Sequence, residues 1–386
     1  MDRLGKRRRP SSWSDLPLEL GGLILRLLPP CHIDRLRFRS VCRQWRLAER
    51  QQRPHLPPAL PLACLNDRTF LSLAGGELFR FRPDHVDALR RRFPTCRGAF
   101  GGWLLYQRYG ELSRFFLINP VSSATMEIPL RLDDGSNIGR FPMRKITVCS
   151  PDLVAAILSD SSVGFYRPGA PSWSACPTDG HGRGLYVDIA LYRGKLYALN
   201  DDGGLFVHEV SDDDAGIPMA SPVVENAVLA QRPEMANPGG LRYRLMRRYL
   251  VVSCTGKLLM VKWMAPSYRH YWSFSSSSNA TDGIVLKLFE ADLEMGQWTE
   301  VSNLGSGQAL FVGRGCSKAV RLTGYDQRFQ ENRVYVLGHD FFGHCYDEMP
   351  SYGSYDLTNG TISQVVLDIM RVARPIWRME WFFPQE

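Results

Sequence analysis

The sequence lacks several features that would assign it to a particular class of protein. It contains no C-x-x-C pair and no H-E-x-x-H, Walker A or G-x-S-x-G motif, the usual signatures of zinc, nucleotide and serine-hydrolase sites. No run approaches the roughly 18 apolar residues that a membrane-spanning helix needs. The residues therefore support no enzyme, and we expect no catalytic residue, no cofactor, no metal site and no membrane partner.

A disulfide framework is also not indicated. The nine cysteines are odd in number and most of them flank apolar runs, a pattern typical of free buried thiols in a reducing compartment. We therefore expect a location in the nucleus, the cytoplasm or both.

Net charge is absent from most of the chain and concentrated at its start. Residues 1–53 contain 13 Lys or Arg and 5 Asp or Glu, and so carry the whole formal net charge of +8. Residues 54–386 are formally neutral. The large C-terminal part thus offers no electrostatic case for nucleic acid. Residues 1–11 are expected to be a disordered basic tail, in which Lys6, Arg7, Arg8 and Arg9 form either a nuclear localisation signal or a solvated run.

Residues 12–53 predict three short helices. Ser14 is a candidate N-cap for a helix that opens at Leu16-Pro17 and stops at Pro29-Pro30, and two more helices are expected over His32–Ser40 and Val41–Arg50. The proline-rich segment 54–61 is typical of a stiff linker. Three such helices form a small core that needs either a partner protein or the rest of the chain, which they would then cap.

The same residues resemble an F-box. The resemblance rests on Asp15-Leu16-Pro17, Leu28-Pro29 and the ending Val41-Cys42-Arg43-x-Trp45-Arg46. It implies binding to the Skp-type adaptor of a ubiquitin ligase, and through it to a cullin. The family usually has an apolar residue and a helix former where this chain has Gly21-Gly22, and each glycine costs roughly 1 kcal/mol in a helix interior, which bears on adaptor affinity. The implied helical module and adaptor surface comprise Leu16, Pro17, Leu20, Ile24, Leu28, Pro29, Val41, Cys42 and Trp45.

Residues 62–386 predict an all-β domain, because short apolar runs alternate with turn signals such as Arg193-Gly194 and Asn359-Gly360. The pattern fits a sandwich or a propeller. Repeated units with Gly turns, and Trp173 and Trp298 at the centre of final strands, favour a propeller of six or seven blades. The stretches 211–240 and 275–283 are expected to be loops that carry binding specificity.

A second resemblance covers residues 185–366. Gly194–Leu199, Ala309–Gly313 and Gly353–Leu357 are among the segments similar to the C-terminal propeller of a large plant F-box family, a domain of unknown function likened to kelch propellers. This resemblance implies an architecture and an adaptor but no client.

Weaker motifs have plain alternatives. Gly313-x-Gly315-x-x-Lys318 is better interpreted as a hairpin turn than as a phosphate loop. His339, Asp340, His344 and Cys345 could bind zinc, but a polar loop is the favoured interpretation. Asp212–Asp214 could form an acidic patch or a calcium site, but a solvated loop is favoured there. The sequons at Asn279 and Asn359 have no role without secretion.

The resulting fold class is α plus all-β, with an F-box module followed by a β-propeller. We expect a non-catalytic substrate-recognition subunit of an SCF-type (cullin–RING) ubiquitin ligase, which binds the adaptor through the helices and an unidentified protein client through the propeller. Two alternatives remain open. One is a propeller enzyme or carbohydrate-binding protein with a helical cap; the other is a nuclear nucleic-acid-associated scaffold.

Overall fold

A computed structural model gives the fold of the chain. It describes residues 13–28, 30–65, 69–73, 76–80, 95–108, 114–133, 135, 143, 145–158, 162–176, 185–208, 220–224, 243–266, 284–305, 307–322, 329–337, 351–366 and 379–384. The N-terminal part is helical, with α1 (Leu18–Leu27), α2 (His32–Ser40), α3 (Arg43–Gln52) and short 3-10 helices at Trp13–Asp15 and Arg53–His55. The first helix therefore begins two residues later than predicted, because Pro17 and not Ser14 occupies its N-cap position. Within the described residues, no helix has the length and hydropathy needed to cross a bilayer.

The remainder is built from strands, which form six sheets in the described part of the chain. We call the sheets blades 1 to 6. In chain order the strands are β1 (Leu62–Cys64), β2 (Thr69–Ser72) and β3 (Leu78–Arg80) in blade 1; β4 (Thr95–Phe100), β5 (Trp103–Arg108), β6 (Arg114–Ile118) and β7 (Thr125–Ile128) in blade 2; β8 (Lys145–Ser150), β9 (Leu153–Ile157), β10 (Val163–Tyr166) and β11 (Ser174–Ala175) in blade 3; β12 (Tyr186–Tyr192), β13 (Lys195–Asn200), β14 (Leu205–His208) and β15 (Ala220–Val224) in blade 4; β16 (Tyr243–Val252), β17 (Leu258–Pro266), β18 (Val285–Asp292) and β19 (Gln297–Val301) in blade 5; β20 (Gln308–Val312), β21 (Lys318–Arg321), β22 (Arg333–Leu337), β23 (Ser351–Asp356) and β24 (Ile362–Val366) in blade 6; and β25 (Glu380–Phe382), which returns to blade 1.

The six blades close into a β-propeller, as the sequence predicted. Closure comes from β25, which pairs antiparallel with β1 and so joins the two ends of the β domain in one sheet. The inner strands contact one another around the axis, from β25 through β4, β8, β12 and β16 to the β20–β21 hairpin. The hairpin expected at Arg193-Gly194 is present, and both residues have the positive φ (49° and 76°) of a type I′ turn. The predicted loop 211–240 is wrong in part, because it contains β15.

Blade 6 departs from the meander of the other blades. Its order is β21-β20-β22-β23-β24, and β20 pairs parallel with β22. The Gly313–Lys318 segment connects β20 to β21, which pair antiparallel, so the prediction of a hairpin turn in place of a phosphate loop is confirmed. A Cβ atom on Gly315 would lie 2.4 Å from Cα of Gly98 in blade 2, so this turn requires glycine to lie against the neighbouring backbone.

Apolar clusters between neighbouring blades make up the core. Buried tryptophans also join the blades by hydrogen bonds. The indole N–H of Trp173 donates to the Pro129 carbonyl (2.9 Å), and that of Trp298 donates to the Gly203 carbonyl (2.9 Å). Trp298 lies in β19 and Trp173 directly precedes β11, and both strands are the fourth of their blade. Each bond therefore joins the last strand of one blade to the preceding blade, which explains why tryptophan recurs at the predicted final strands.

The helical module packs directly on blade 1. Cys31 and Ile33, at the start of α2, are buried in the same apolar cluster as Phe70 and Phe382 of the propeller. On the surface above this cluster, Arg37 donates to Glu77 (3.0 Å), which precedes β3. The helices and the first blade therefore share one core.

The proline-rich segment 54–61 contacts both parts of the chain. Leu60 is buried in the cluster between blades 6 and 1, and its N–H donates to the Pro30 carbonyl beside α2 (2.8 Å). Ala59 is buried as well. The segment thus adds a second point of attachment between the helices and the propeller.

Candidate functional site

The candidate site is an exposed apolar surface on the three helices. On α1, Leu20, Leu23 and Leu27 lie at helical spacing on one face, and Leu27 is 82% exposed. Trp13, Val41 and Leu47 add exposed apolar side chains nearby in the chain. These six residues form what we call the F-box surface, and they make up most of the large apolar side chains that the described structure leaves exposed. Exposed apolar side chains concentrated on one small helical module are typical of a surface that another protein covers.

The opposite face of α1 packs against α3. Leu25 is buried with Phe38 and Ala48 in the core of the helical module. Gly21 and Gly22 are buried on this side, and a Cβ atom on Gly21 would lie 3.3 Å from the Cβ of Ala48. The two glycines thus allow α1 and α3 to approach closely and do not belong to the exposed face. The sequence alone had indicated only their cost to the helix.

Trp45 holds the start of the module in place. Its ring lies 4.5 Å from that of Phe38, between centroids, and its indole N–H donates to the Trp13 carbonyl (3.0 Å). The Trp13 side chain itself remains 72% exposed. Trp45 therefore orders the backbone that presents Trp13 at the surface.

The predicted adaptor residues separate into two groups. Pro17, Leu20 and Val41 are exposed, whereas Ile24, Leu28 and Trp45 are half-buried and pack on the core of the module. Leu16 and Cys42 are half-buried between these groups, and Pro29, like Lys6, Arg7, Arg8 and Arg9, lies outside the described residues. Helix α3 begins at Arg43, two residues later than predicted, so Val41 lies in the turn between α2 and α3.

Four exposed residues of the F-box surface were not among the predicted site residues. Leu23, Leu27, Trp13 and Leu47 are all more than one third exposed. Apolar periodicity did not separate the exposed from the buried leucines of α1, because this helix carries leucine on both faces. The signal that could have found them is the excess of leucine over what one packed face of a ten-residue helix accommodates.

Helix α3 carries exposed positive charge. Arg43, Arg46 and Arg50 of α3 are exposed, and these guanidinium groups favour a partner with acidic residues at the rim of its interface. At the junction with the propeller, the pKa of His32 is lowered to about 4 by its burial and by the nearby Arg35, Arg39 and Arg53. His32 is therefore neutral at physiological pH and adds no further charge.

The remaining candidate sites gain no support from the geometry. His339, Asp340, His344 and Cys345, Asp212–Asp214, Asn279 and the stretch 275–283 lie outside the described residues. Among the described residues, no three His, Cys, Asp or Glu side chains come together as a metal site would require. Asn359 lies in the turn after β23, where its side chain accepts from the Thr361 N–H (2.9 Å).

Comparison with known proteins agrees with this division of the chain. The F-box domain family model matches residues 13–56, and the KIB1-4 beta-propeller model matches residues 70–357. Probable F-box protein At4g22165 of Arabidopsis thaliana is 26% identical over 303 residues, which cover 70% of this chain and 73% of that protein. F-box protein At2g17036 of Arabidopsis thaliana is 26% identical over 136 residues, covering 35% of this chain and 33% of that protein.

Among solved structures, the β-propeller domain of Cps50 (Swd1) from Myceliophteria thermophila is 11% identical and aligns with a TM-score of 0.35, over 79% of both chains. The F-box model ends after α3, at residue 56, and the propeller model begins within β2, at residue 70, so each model covers one part of the fold. The chain therefore belongs to the F-box proteins that carry a KIB1-4 beta-propeller.

Proposed function

We propose that this chain is the substrate-recognition subunit of an SCF-type (cullin–RING) ubiquitin ligase, in which the helices bind a Skp-type adaptor and the propeller binds a protein client. The observation that carries the proposal is the F-box surface. Leu20, Leu23 and Leu27 remain exposed although α2 buries Ile33 in the cluster shared with the propeller and Phe38 in the core of the module. Burying a leucine side chain stabilises a complex by about 1.5–3 kcal/mol, so a surface of this composition favours a tightly bound partner. In this role the chain itself carries no catalytic residue, since ubiquitin transfer belongs to other subunits.

The position of the helices also supports a place for the client. They pack at the end of the propeller at which β1 begins and β2 ends. In blades 1 to 5 the connections at this end include the short turns 101–102, 151–152 and 193–194 and one longer connection, 209–219. The long segments 81–94, 129–144, 225–242 and 267–284 connect strands at the opposite end. Long connections on a rigid scaffold are where binding specificity is usually found, so the client site is assigned to the end away from the adaptor.

Binding of the full chain to a Skp-type adaptor tests the first half of the proposal. We expect the wild-type chain to bind in isothermal titration calorimetry and the double variant Leu23→Asp/Leu27→Asp to lose binding by at least about a hundredfold, because two buried charges replace two apolar contacts. The matched control is Val121→Asp, which changes an exposed apolar residue of the propeller and is expected to leave the affinity unchanged.

Circular dichroism shows whether the double variant is folded. We expect it to be folded, because the side chains of Leu23 and Leu27 are exposed in the wild-type chain. Failure of the folded wild-type chain to bind the adaptor would refute the proposal, and so would equal binding by the double variant. If the wild-type chain does not bind, a helical cap on a propeller enzyme or carbohydrate-binding protein, or a nuclear scaffold, becomes the better hypothesis; equal binding by the double variant would place the adaptor contact away from Leu23 and Leu27.

A location in the nucleus, the cytoplasm or both follows from the same proposal, since the adaptor and cullin act there. The basic residues Lys6, Arg7, Arg8 and Arg9 are proposed as the nuclear signal. Loss of nuclear accumulation in a fluorescent fusion with all four changed to alanine would support this role, and unchanged distribution would argue for a solvated tail.

A further inference from the structure

A cavity of about 380 Å³ lies on the axis of the propeller. Its wall is formed by the inner strands β4, β8, β12 and β16, by β21 with the turn before it, and by Phe383 after β25. Ligand pockets for small molecules range from roughly 300 to 1,000 Å³, so this cavity has the size for a small metabolite. It is too small for a folded segment of another protein.

Both charged side chains that line this cavity are cationic. Lys145 and Lys318 line it, and no Asp or Glu does so among the residues that the structure describes. The Cys316 thiol carries no negative charge, since burial raises its pKa to about 12. Thr147 and Ser317 add hydroxyl groups that donate or accept hydrogen bonds.

The Lys145 ammonium is held in the wall by a carboxylate that lies behind it. Asp188 forms an ion pair with Lys145 and accepts hydrogen bonds from the N–H groups of Ile189 (2.8 Å) and Leu250 (2.7 Å). Both side chains of the pair are more than nine-tenths buried, with 7% and 3% exposed. Within the described structure Lys145 has no other hydrogen-bond or ion-pair partner, whereas an ammonium group has three N–H donors.

Asp188 offsets the positive charge of Lys145 but not that of Lys318. Lys318 is exposed, and its ammonium lies 5.5 Å from the centre of the Phe383 ring, with no ion pair to any described carboxylate. Two ammonium groups therefore border the cavity, while the carboxylates of Asp188 and Glu380 lie outside its lining, the latter accepting from the Gly315 N–H (3.2 Å). A bound anion would pair with Lys318 and satisfy the donors left on Lys145.

We propose that this axial cavity binds a small molecule carrying a carboxylate or phosphate group, with Lys318 and Lys145 as its cationic contacts. The site is separate from the F-box surface and does not depend on adaptor binding. Because the inner strands of blades 2 to 6 all contribute to its wall, a bound anion would stabilise the propeller as a whole.

Calorimetric titration of the full chain with citrate and with inorganic phosphate at low ionic strength tests the proposal. We expect binding of at least one of the two anions, none of uncharged glycerol, and an affinity that falls as salt is added. Lys318→Gln should weaken binding roughly tenfold or more, because a charge-assisted hydrogen bond is lost. The control is Lys257→Gln, which removes an exposed lysine that does not line the cavity and should change the affinity by less than about twofold.

Lys145 is tested in the double variant Lys145→Met/Asp188→Asn, since Lys145→Met alone would leave a buried carboxylate without its cation. Weaker anion binding by this variant supports the assignment, provided that thermal unfolding shows it folded. The proposal is overturned if neither anion binds or if Lys318→Gln binds as the wild type does. It is also overturned if Lys318→Gln and the control Lys257→Gln lose binding equally, which would indicate diffuse charge attraction.

Discussion

Replacing Ile33 with alanine should weaken the helical module and the propeller together. Ile33 is 6% exposed and packs in the cluster that contains Phe70 and Phe382. Truncation of a buried isoleucine costs about 2–5 kcal/mol of unfolding free energy. At the low end of this range, a local opening that exposes the site becomes about 30-fold more frequent.

Hydrogen–deuterium exchange of the full chain measures this effect by segment. In the Ile33→Ala variant, we expect faster exchange in α2 and also in β1, β2 and β25, because these strands line the same cluster. The matched change Leu25→Ala removes a side chain from the separate core of the module. It should accelerate exchange in α1 and α3 and leave β25 near its wild-type rate.

The reasoning would be refuted if Ile33→Ala accelerated exchange in the helices alone. That result would mean that the module opens independently of blade 1, and that the shared cluster contributes little to either part. Two separate thermal transitions, of which only the first responds to Ile33→Ala, would lead to the same conclusion.

Three further changes have defined outcomes. Leu27→Ala should weaken adaptor binding by about 1–2 kcal/mol and Leu20→Ala by roughly half as much, since Leu27 is nearly twice as exposed (82% against 46%); equal losses in calorimetry would argue against the F-box surface. Gly22→Ala should raise the melting temperature, with a gain below about 1 kcal/mol, because the Gln52 side chain must shift while it accepts hydrogen bonds from Arg26, whereas Gly21→Ala meets Cβ of Ala48 and should gain less or lose. His208 is buried and its pKa is lowered to about 4. Between pH 6.5 and 4 the unfolded chain therefore binds a proton at this position that the folded chain does not. As the pH is lowered through this range, the unfolding free energy should decrease by up to about 1.4 kcal/mol per pH unit. His208→Phe should reduce this slope.

The propeller could be predicted because its determinants are local. Turn residues such as Arg193-Gly194 and the recurring Trp173 and Trp298 mark hairpins and final strands within short stretches of sequence. Local patterns predict six or seven blades and do not determine which, because closure of the propeller depends on long-range pairing. The pairing of β25 with β1 joins residues more than 300 positions apart, and nothing in either short strand identifies its partner. The irregular order of blade 6 likewise depends on the parallel pairing of β20 with β22.

The candidate site was predicted as a module but not as a surface. The Leu-Pro and Val-Cys-x-x-Trp-Arg motifs located the F-box, yet some of its motif residues, such as Ile24 and Trp45, serve its core. Exposure depends on what packs against each helix, and α2 is covered by the propeller at Ile33. The role of Gly21 could not be derived either, because it arises from the distance between α1 and α3.

The shared core at Ile33 also bears on how a client would be presented. With a flexible tether, the effective concentration of a client at the ubiquitin donor depends on linker length; with a docked module it depends on the fixed shape of the chain. Insertion of a flexible Gly-Ser segment between Pro57 and Pro58, combined with Ile33→Ala, should weaken both attachments between the two parts, the Leu60–Pro30 bond and the shared cluster. Provided that the chain acts in a ligase, we expect this combined variant to preserve adaptor affinity in calorimetry but to slow ubiquitin transfer to a client in a reconstituted reaction. An equally fast reaction would show that the docking stabilises the fold without setting the geometry of transfer.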